Sequence, residues 1–302
     1  MRSENTGIEP CTSTMKRGSS CQEWSMDSSA RFCTDDESWL KRRTVADVVI
    51  QSGVGLRSGA PCVTTISPGR RGVVINDTPL TPRVLIPNVS RATAVMTARG
   101  PVALVEHLLG ALWLMGITDA EIAIEGGEPP IFDGSAGRWV EAIAAVELEG
   151  EPPYSPVVLE RTIEVAEGQA CIVATPAERF SARVEVHYPP QQPMVLECGP
   201  PGSDMIAAVA HARTFGHLRD REALAAAGVL GGVSLENTVV FDDAGVPLNV
   251  DGLRWPDEPV RHKALDLLGD LMCLGRPLQA RVVAQCAGHR LHHALLSAIA
   301  EA

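Results

Sequence analysis

The stretch VRHKALDLLGD carries His262, Asp266 and Asp270 at positions i, i+4 and i+8. A helix of about 3.6 residues per turn sets them in one row. An imidazole and a carboxylate one turn apart can share one cation. They can equally form a surface ion pair, worth only about 0.2–0.5 kcal/mol. A second pair, Glu106-His107, sits inside the apolar run LVEHLLGALWL. An acid and an imidazole there are costly to bury unless paired or bound to a metal. The plain alternative turns Glu106 to solvent and makes His107 a hydrogen-bonded core histidine. Two histidines and one carboxylate are a catalytic zinc complement that leaves one position open for water. A nearby Glu can then act as general base, and a further His as acid for the leaving group. His289 in AGHRLHH and Thr214 in ARTFG stand at element junctions, where sites often form. Taken singly they read as a polar helix start and an N-cap. Lys263 and Asp270 read singly as solvated helix-face residues. The pieces make a candidate hydrolase if the fold brings them together.

Several elements must do the positioning. VADVVIQSGVGL, CVTTI, GVVIN and RVLIP are short β-rich runs broken by Gly, Pro, Asn and Asp. The spacing predicts an apolar helix over 102–116, stopped by Gly116. EIAIE returns as a strand, and Ser135 is placed to cap a second helix, AGRWVEAIAAV. ELEGEPPYSP (147–156) is the best linker candidate. VVLERTIEV, CIVAT and FSARVEVHY read as strands, the last alternating as a strand with one wet face does. Helices are expected at 204–212 and 218–227, a strand in VSLENTVVF, a turn at DDAG, and a long helix over 257–274. LQARVVAQC is a strand, and HRLHHALLSAIAEA is a helix. The order fits an α+β fold of two tandem similar domains, each with helices on a mostly antiparallel sheet. The divisions are residues 1–41 as a disordered N-terminal extension, 42–150 and 151–302.

Composition narrows the partners. The chain has 302 residues, 45% of them hydrophobic, and a net charge of −11. That balance argues against nucleic acid, whose phosphates need basic surface. No apolar run reaches the roughly 18 residues of a membrane span, and no secretory signal is expected. The eight cysteines are scattered without a CxxC pair. They read as reduced thiols of a cytoplasmic protein. A monomer is the default expectation.

The ordered set SGVGLRSG, VEHLLGAL, GITDAEIAIEGGEPPIFDGSA, ARTFG, LGG, LNVDGLRWPDEPVRHKALDLLGD and GHRLHHALLSAI resembles the UDP-3-O-acyl-N-acetylglucosamine deacetylases, the zinc amidases of lipid A biosynthesis. The likeness runs from about residue 42 through the final helix. It implies an active site in the cleft between the two domains. It implies one zinc ion on His107, His262 and Asp266, a donor set that iron also suits. Glu106 would deprotonate the attacking water, Thr214 would stabilise the oxyanion, and His289, oriented by Asp270, would protonate the departing amine. Lys263 and Phe215 would contact substrate. An insert near 213–249 would wall a passage for the 3-O-acyl chain, with Leu224, Val229, Leu230 and Val233 suited to it.

Some positions depart from the family pattern. Arg57 stands for a usual His and Leu104 for a usual Thr. His217 stands where an aromatic or apolar residue is common. Thr175 and Cys286 fall where basic residues near the nucleotide are usual. These changes touch substrate handling more than reaction chemistry. Arg213, Arg219, Arg221 and Arg261 are candidate replacements for the missing basic groups. The same changes leave open a related zinc amidase acting on another acylated amino sugar, and a catalytically silent homologue that keeps the fold.

Overall fold

The computed structural model describes residues 41–153 and 155–302. In its first part, β1 (Lys41–Val45) precedes β2 (Val49–Val54), β3 (Pro61–Pro68), β4 (Val73–Ile75) and β5 (Thr78–Pro79). Two short strands follow, β6 (Val95–Thr97) and β7 (Gly100–Val102), then helix α1 (Glu106–Leu114), β8 (Ala120–Glu125), α2 (Gly137–Ala144) and β9 (Leu148–Pro153). The sheet order is β2-β3-β8-β4-β5. Two hairpins form, and β8 enters between them, antiparallel to β3 and parallel to β4. A parallel partner needs a crossover, and α1 lies within it.

The second part repeats the plan. It comprises β10 (Val157–Val158), β11 (Ile163–Glu167), β12 (Ala170–Pro176), β13 (Ser181–Val186), β14 (Met194–Cys198), α3 (Ser203–Val209), β15 (Phe215–His217), α4 (Arg221–Ala226), β16 (Val239–Phe241), α5 (Glu258–Leu271), β17 (Leu278–Gln285) and α6 (His289–Glu301). The order is β11-β12-β17-β13-β14, again with the late strand between two hairpins. β13 buries every second residue, as its alternation predicts. The fold is α+β.

α1 and α5, the helices preceding each late strand, pack against each other. Every residue of α1 except Trp113 is buried, as a helix apolar on all sides must be. On α5 only Arg261 and Lys263 escape burial. The row His262, Asp266 and Asp270 therefore faces protein, which excludes a solvated ionic helix face. Glycine permits the close approach. A Cβ on Gly269 would lie 2.1 Å from the Glu106 carbonyl oxygen, and one on Gly110 would lie 2.6 Å from Leu265 Cδ1.

Several expectations change. The helix expected from 102 starts at Glu106, because Val102 pairs in β7 and Leu104 takes a left-handed φ of 55°. Gly116 ends it as expected, with φ 65° and Ile117 donating back to the Leu112 carbonyl. The first two residues of RVLIP fall in a 3-10 turn, Pro82–Val84, and Leu85 makes one bridge, since Pro82 and Pro87 on either side lack donors. Of the linker candidate, Leu148–Pro153 is strand β9, paired antiparallel with β1, and a ribbon edge tolerates its prolines. VSLENTVVF is a strand only over its last three residues. Lys41, the last residue assigned to the extension, already lies in β1. The rest of that extension lies outside the described residues. Cys62, Cys198 and Cys273 are free buried thiols. Cys171 is disulfide-bonded, which corrects the reading of all eight cysteines as reduced.

Candidate metal and catalytic site

The first turn of α1 and the middle of α5 meet at the floor of a cleft. Glu106 and His107 come from α1, and His262 and Asp266 from α5. His107 Nε2 lies 3.7 Å and His262 Nε2 3.4 Å from Asp266 Oδ1. The three donor atoms lie within 4.8 Å of one another, and all three residues are buried. That Asp266 oxygen is buried with no hydrogen-bond partner. A carboxylate oxygen in that state is costly unless a cation faces it.

The donor states suit a divalent metal. Burial and the neighbouring His262 lower the His107 imidazole to about 3, so it is neutral. Burial likewise lowers His262. His262 Nδ1 donates to the Ala212 carbonyl at 3.0 Å, which leaves Nε2 as the free lone pair. Burial opposes ionisation of Asp266, yet Lys263 and the surrounding imidazoles hold it well below the usual carboxylate range. Lys263 Nζ donates to Asp266 Oδ2 at 2.6 Å, an i,i+3 pair on one helix. Two neutral imidazoles and one carboxylate are the form in which such side chains bind metal.

Glu106 stands beside this cluster. Burial pushes its carboxyl up to about 7. Its Oε2 accepts from the Thr93 amide at 3.0 Å, and its Oε1 lies 3.8 Å from His289 Nε2. His289 starts α6 and donates from Nδ1 to Asp270 Oδ2 at 2.7 Å. Burial works against a charge on this imidazole, but Asp270 and then Glu106 raise it to about 9. Asp270 is fully buried and also accepts from His292 Nδ1 at 2.7 Å and from the Thr93 hydroxyl. The site therefore pairs a carboxyl of raised affinity for protons with an imidazolium, both against a metal-competent triad.

Thr214 and Phe215 line the same cleft. Their loop is anchored from behind. Arg213 grips the Glu258 carboxylate at the start of α5 through Nε at 2.9 Å and Nη2 at 3.1 Å. The Thr214 amide donates to the Gly134 carbonyl at 2.7 Å. Phe215 packs edge-on against Tyr188 at 5.1 Å and His262 at 6.1 Å, with Lys263 Nζ 5.8 Å from its ring. Leu224, Val229, Leu230 and Val233 line the same cleft. The segment carrying them is clasped by the SGVGLRSG turn. The amides of Gly231 and Gly232 donate to the carbonyls of Arg57 and Leu56, both at 2.9 Å. A Cβ on Gly232 would lie 2.1 Å from the Gly55 carbonyl oxygen.

The departures also have places. His217 packs its ring near Phe241 (5.7 Å) and Tyr188 (6.1 Å), so an imidazole fills an aromatic's position. Arg57, Leu104 and Cys286 line the cleft. Thr175 bonds the Arg281 carbonyl at 3.4 Å instead. Of the candidate replacement cations, Arg213 is engaged by Glu258, and Arg261 by Asp257 and the Ala208 carbonyl. Arg221 lines the cleft. Thr93, His292 and Lys263's bond to Asp266 are the parts that sequence reasoning missed. Thr93 lies in RATAV, a stretch with no spacing signal of its own.

Residues 42–301 match the family profile described as UDP-3-O-acyl N-acetylglycosamine deacetylase. A Myxococcus xanthus protein named UDP-3-O-acyl-N-acetylglucosamine deacetylase is 37% identical over 267 residues, 84% of this chain and 85% of its own. Proteins of the same name from Thermosynechococcus vestitus and Solibacter usitatus are 37% and 38% identical, covering 86% and 85% of this chain and 94% and 90% of their own. The chain belongs to the UDP-3-O-acyl N-acetylglycosamine deacetylase family.

Proposed function

We propose that the chain is a zinc-dependent amidohydrolase acting on UDP-3-O-acyl-N-acetylglucosamine. Water adds across the N-acetyl amide, giving the free amine and acetate, the committed step of lipid A biosynthesis. The observation that carries this is the orphaned Asp266 Oδ1, 3.7 and 3.4 Å from the His107 and His262 nitrogens, with His289 Nε2 3.8 Å from both Asp266 Oδ2 and Glu106 Oε1. His107, His262 and Asp266 would hold the ion, one per chain, a donor set that suits zinc and also ferrous iron. When bound, zinc supplies Lewis acidity to water and to the amide carbonyl. Glu106, ionised, takes the proton of the attacking water. Thr214 donates its hydroxyl to the developing oxyanion. His289 delivers a proton to the amide nitrogen, which otherwise leaves poorly. Asp270 keeps His289 charged and oriented.

Lys263 and Phe215 contact the sugar side of the substrate, and the insert near 213–249 receives the acyl chain. The division into residues 42–150 and 151–302, after an N-terminal extension, belongs to this reading. The repeated strand order supports it. A monomer and a cytoplasmic site of action belong to the same reading. Among the described residues no helix is long and apolar enough to cross a membrane.

The direct test is acetate release from the nucleotide substrate by the zinc-loaded protein. Glu106→Gln keeps shape and removes the base. Its turnover is expected to fall by about 10²–10⁴, with roughly one zinc per chain retained. Full activity in Glu106→Gln would end this mechanism. A second reading, a different acylated amino sugar, is favoured by Thr175 and Cys286 and by the engagement of Arg213 and Arg261. Equal turnover of substrate with and without its uridine diphosphate would favour it.

A further inference from the structure

Thr93 lies in the segment leading to β6 and is fully buried, at 0% exposed. It reaches both halves of the proposed proton machinery. Its amide donates to Glu106 Oε2 at 3.0 Å. Its hydroxyl donates to Asp270 Oδ1. The same oxygen lies 2.8 Å from His293 Nε2 and 3.1 Å from His289 Nδ1. A hydroxyl has one proton and two lone pairs. With the proton on Asp270, a lone pair accepts from His293, which lines the cleft. His289 Nδ1 is already committed to Asp270 Oδ2 at 2.7 Å. The hydrogen bonds thus run from His293 through Thr93 to Asp270 and on to His289. The Thr93 amide ties the same residue to the opposing base.

We infer that Thr93 is a positioning residue, which fixes the separation and aim of Glu106 and His289 by bonding one directly and the other through Asp270. This rests on the roles proposed above for those two groups. The base and the acid come from different helices, α1 and α6, and each must meet the same amide. A displacement of about 1 Å can cost on the order of 100-fold in rate. A residue bonded to both sides removes that freedom. Valine at this position keeps the shape. It removes the hydroxyl donor to Asp270 Oδ1 and the acceptor for His293.

The test compares Thr93→Val and Thr93→Ser in the full, zinc-loaded chain. Thr93→Val is expected to lower kcat by about 10- to 100-fold, with KM and zinc content near those of the parent and a lowered thermal midpoint, because the buried Asp270 Oδ1 loses a donor. Thr93→Ser, which keeps the hydroxyl, is expected to restore most of kcat. On an Asp270→Asn background, Thr93→Val is expected to add little, because the two act through one bond. If Thr93→Val does not fold, Thr93→Ala gives the same comparison with serine. Parent-like kcat in Thr93→Val would overturn the inference. So would serine no better than valine, or an effect that adds fully to Asp270→Asn. If Glu106→Gln is inactive while Thr93→Val is fully active, this inference alone fails. If Glu106→Gln is active, the underlying mechanism fails first.

Discussion

Asp266 divides its two oxygens between two tasks, one facing imidazoles and one held by Lys263. The titration of its neighbours makes a pH prediction. Glu106 works as a base only when ionised, and burial raises it to about 7. His289 works as an acid only when protonated; Asp270 outweighs its burial and raises it to about 9. Turnover should therefore rise with pH as Glu106 ionises and fall as His289 loses its proton. A cation beside Glu106 moves the lower limb towards acid. Asp270→Asn removes the negative partner, so the alkaline limb should shift to lower pH in a profile of kcat/KM. An unmoved limb would detach Asp270 from His289. At this scale the candidate ligands stood out only in company: singly, a helix-face ion pair and a core histidine explained them as well, and the family resemblance joined them into one set. The i, i+4 spacing and an ionisable pair inside an apolar run are local signals. The bond from Thr93 to Asp270 spans 177 positions and leaves no local trace. Lys263 was legible as a cation, and its i,i+3 spacing to Asp266 was present in the sequence, but the pairing went unread because Asp266 was assigned to the metal alone.

The crossing of α1 and α5 sets the distance between Glu106-His107 and His262-Asp266. Gly269 sits against the Glu106 carbonyl itself. Gly269→Ala must push the helices apart or unwind the first turn of α1. Overpacking of this kind costs about 1–3 kcal/mol. The expected outcome is a lower thermal midpoint with weakened zinc affinity, measured by calorimetry and competition with a chelator. A lowered midpoint with unchanged affinity would show that the crossing does not set the ligand spacing. Elements with a clean period were legible, such as β13, β17 and α5. The start of α1 was not, because apolarity continues through Val102 to Val105 while the backbone breaks at Leu104. β9 was illegible for a different reason. Its Glu/Pro composition suits a linker, and only its partner β1 makes it a strand.

Across the whole molecule, each late strand enters a sheet of the same order, and each preceding helix brings part of the candidate metal cluster. The α+β class was legible from the order of elements. The shared permutation was not, because pairing partners are not written in any local run. Metal removal is the matching prediction. Chelation should abolish turnover and lower the unfolding midpoint, and zinc should restore both. At free zinc 100 times Kd the stabilisation is about 2.7 kcal/mol. A midpoint indifferent to zinc would argue that the cluster does not bind it.

The insertion of β17 between β12 and β13 also sets an order of events during synthesis. As the chain emerges from its N-terminal end, the facing edges of β12 and β13 have no partner until Leu278–Gln285 is made. Long-range pairing of this kind is slow, and open edges invite association with other chains. The nascent protein is thus most exposed to aggregation while residues between Ser181 and Leu278 are being added. His289 follows β17 directly. In order of synthesis, the proposed proton donor reaches the site last, after the metal ligands and the base have been laid down.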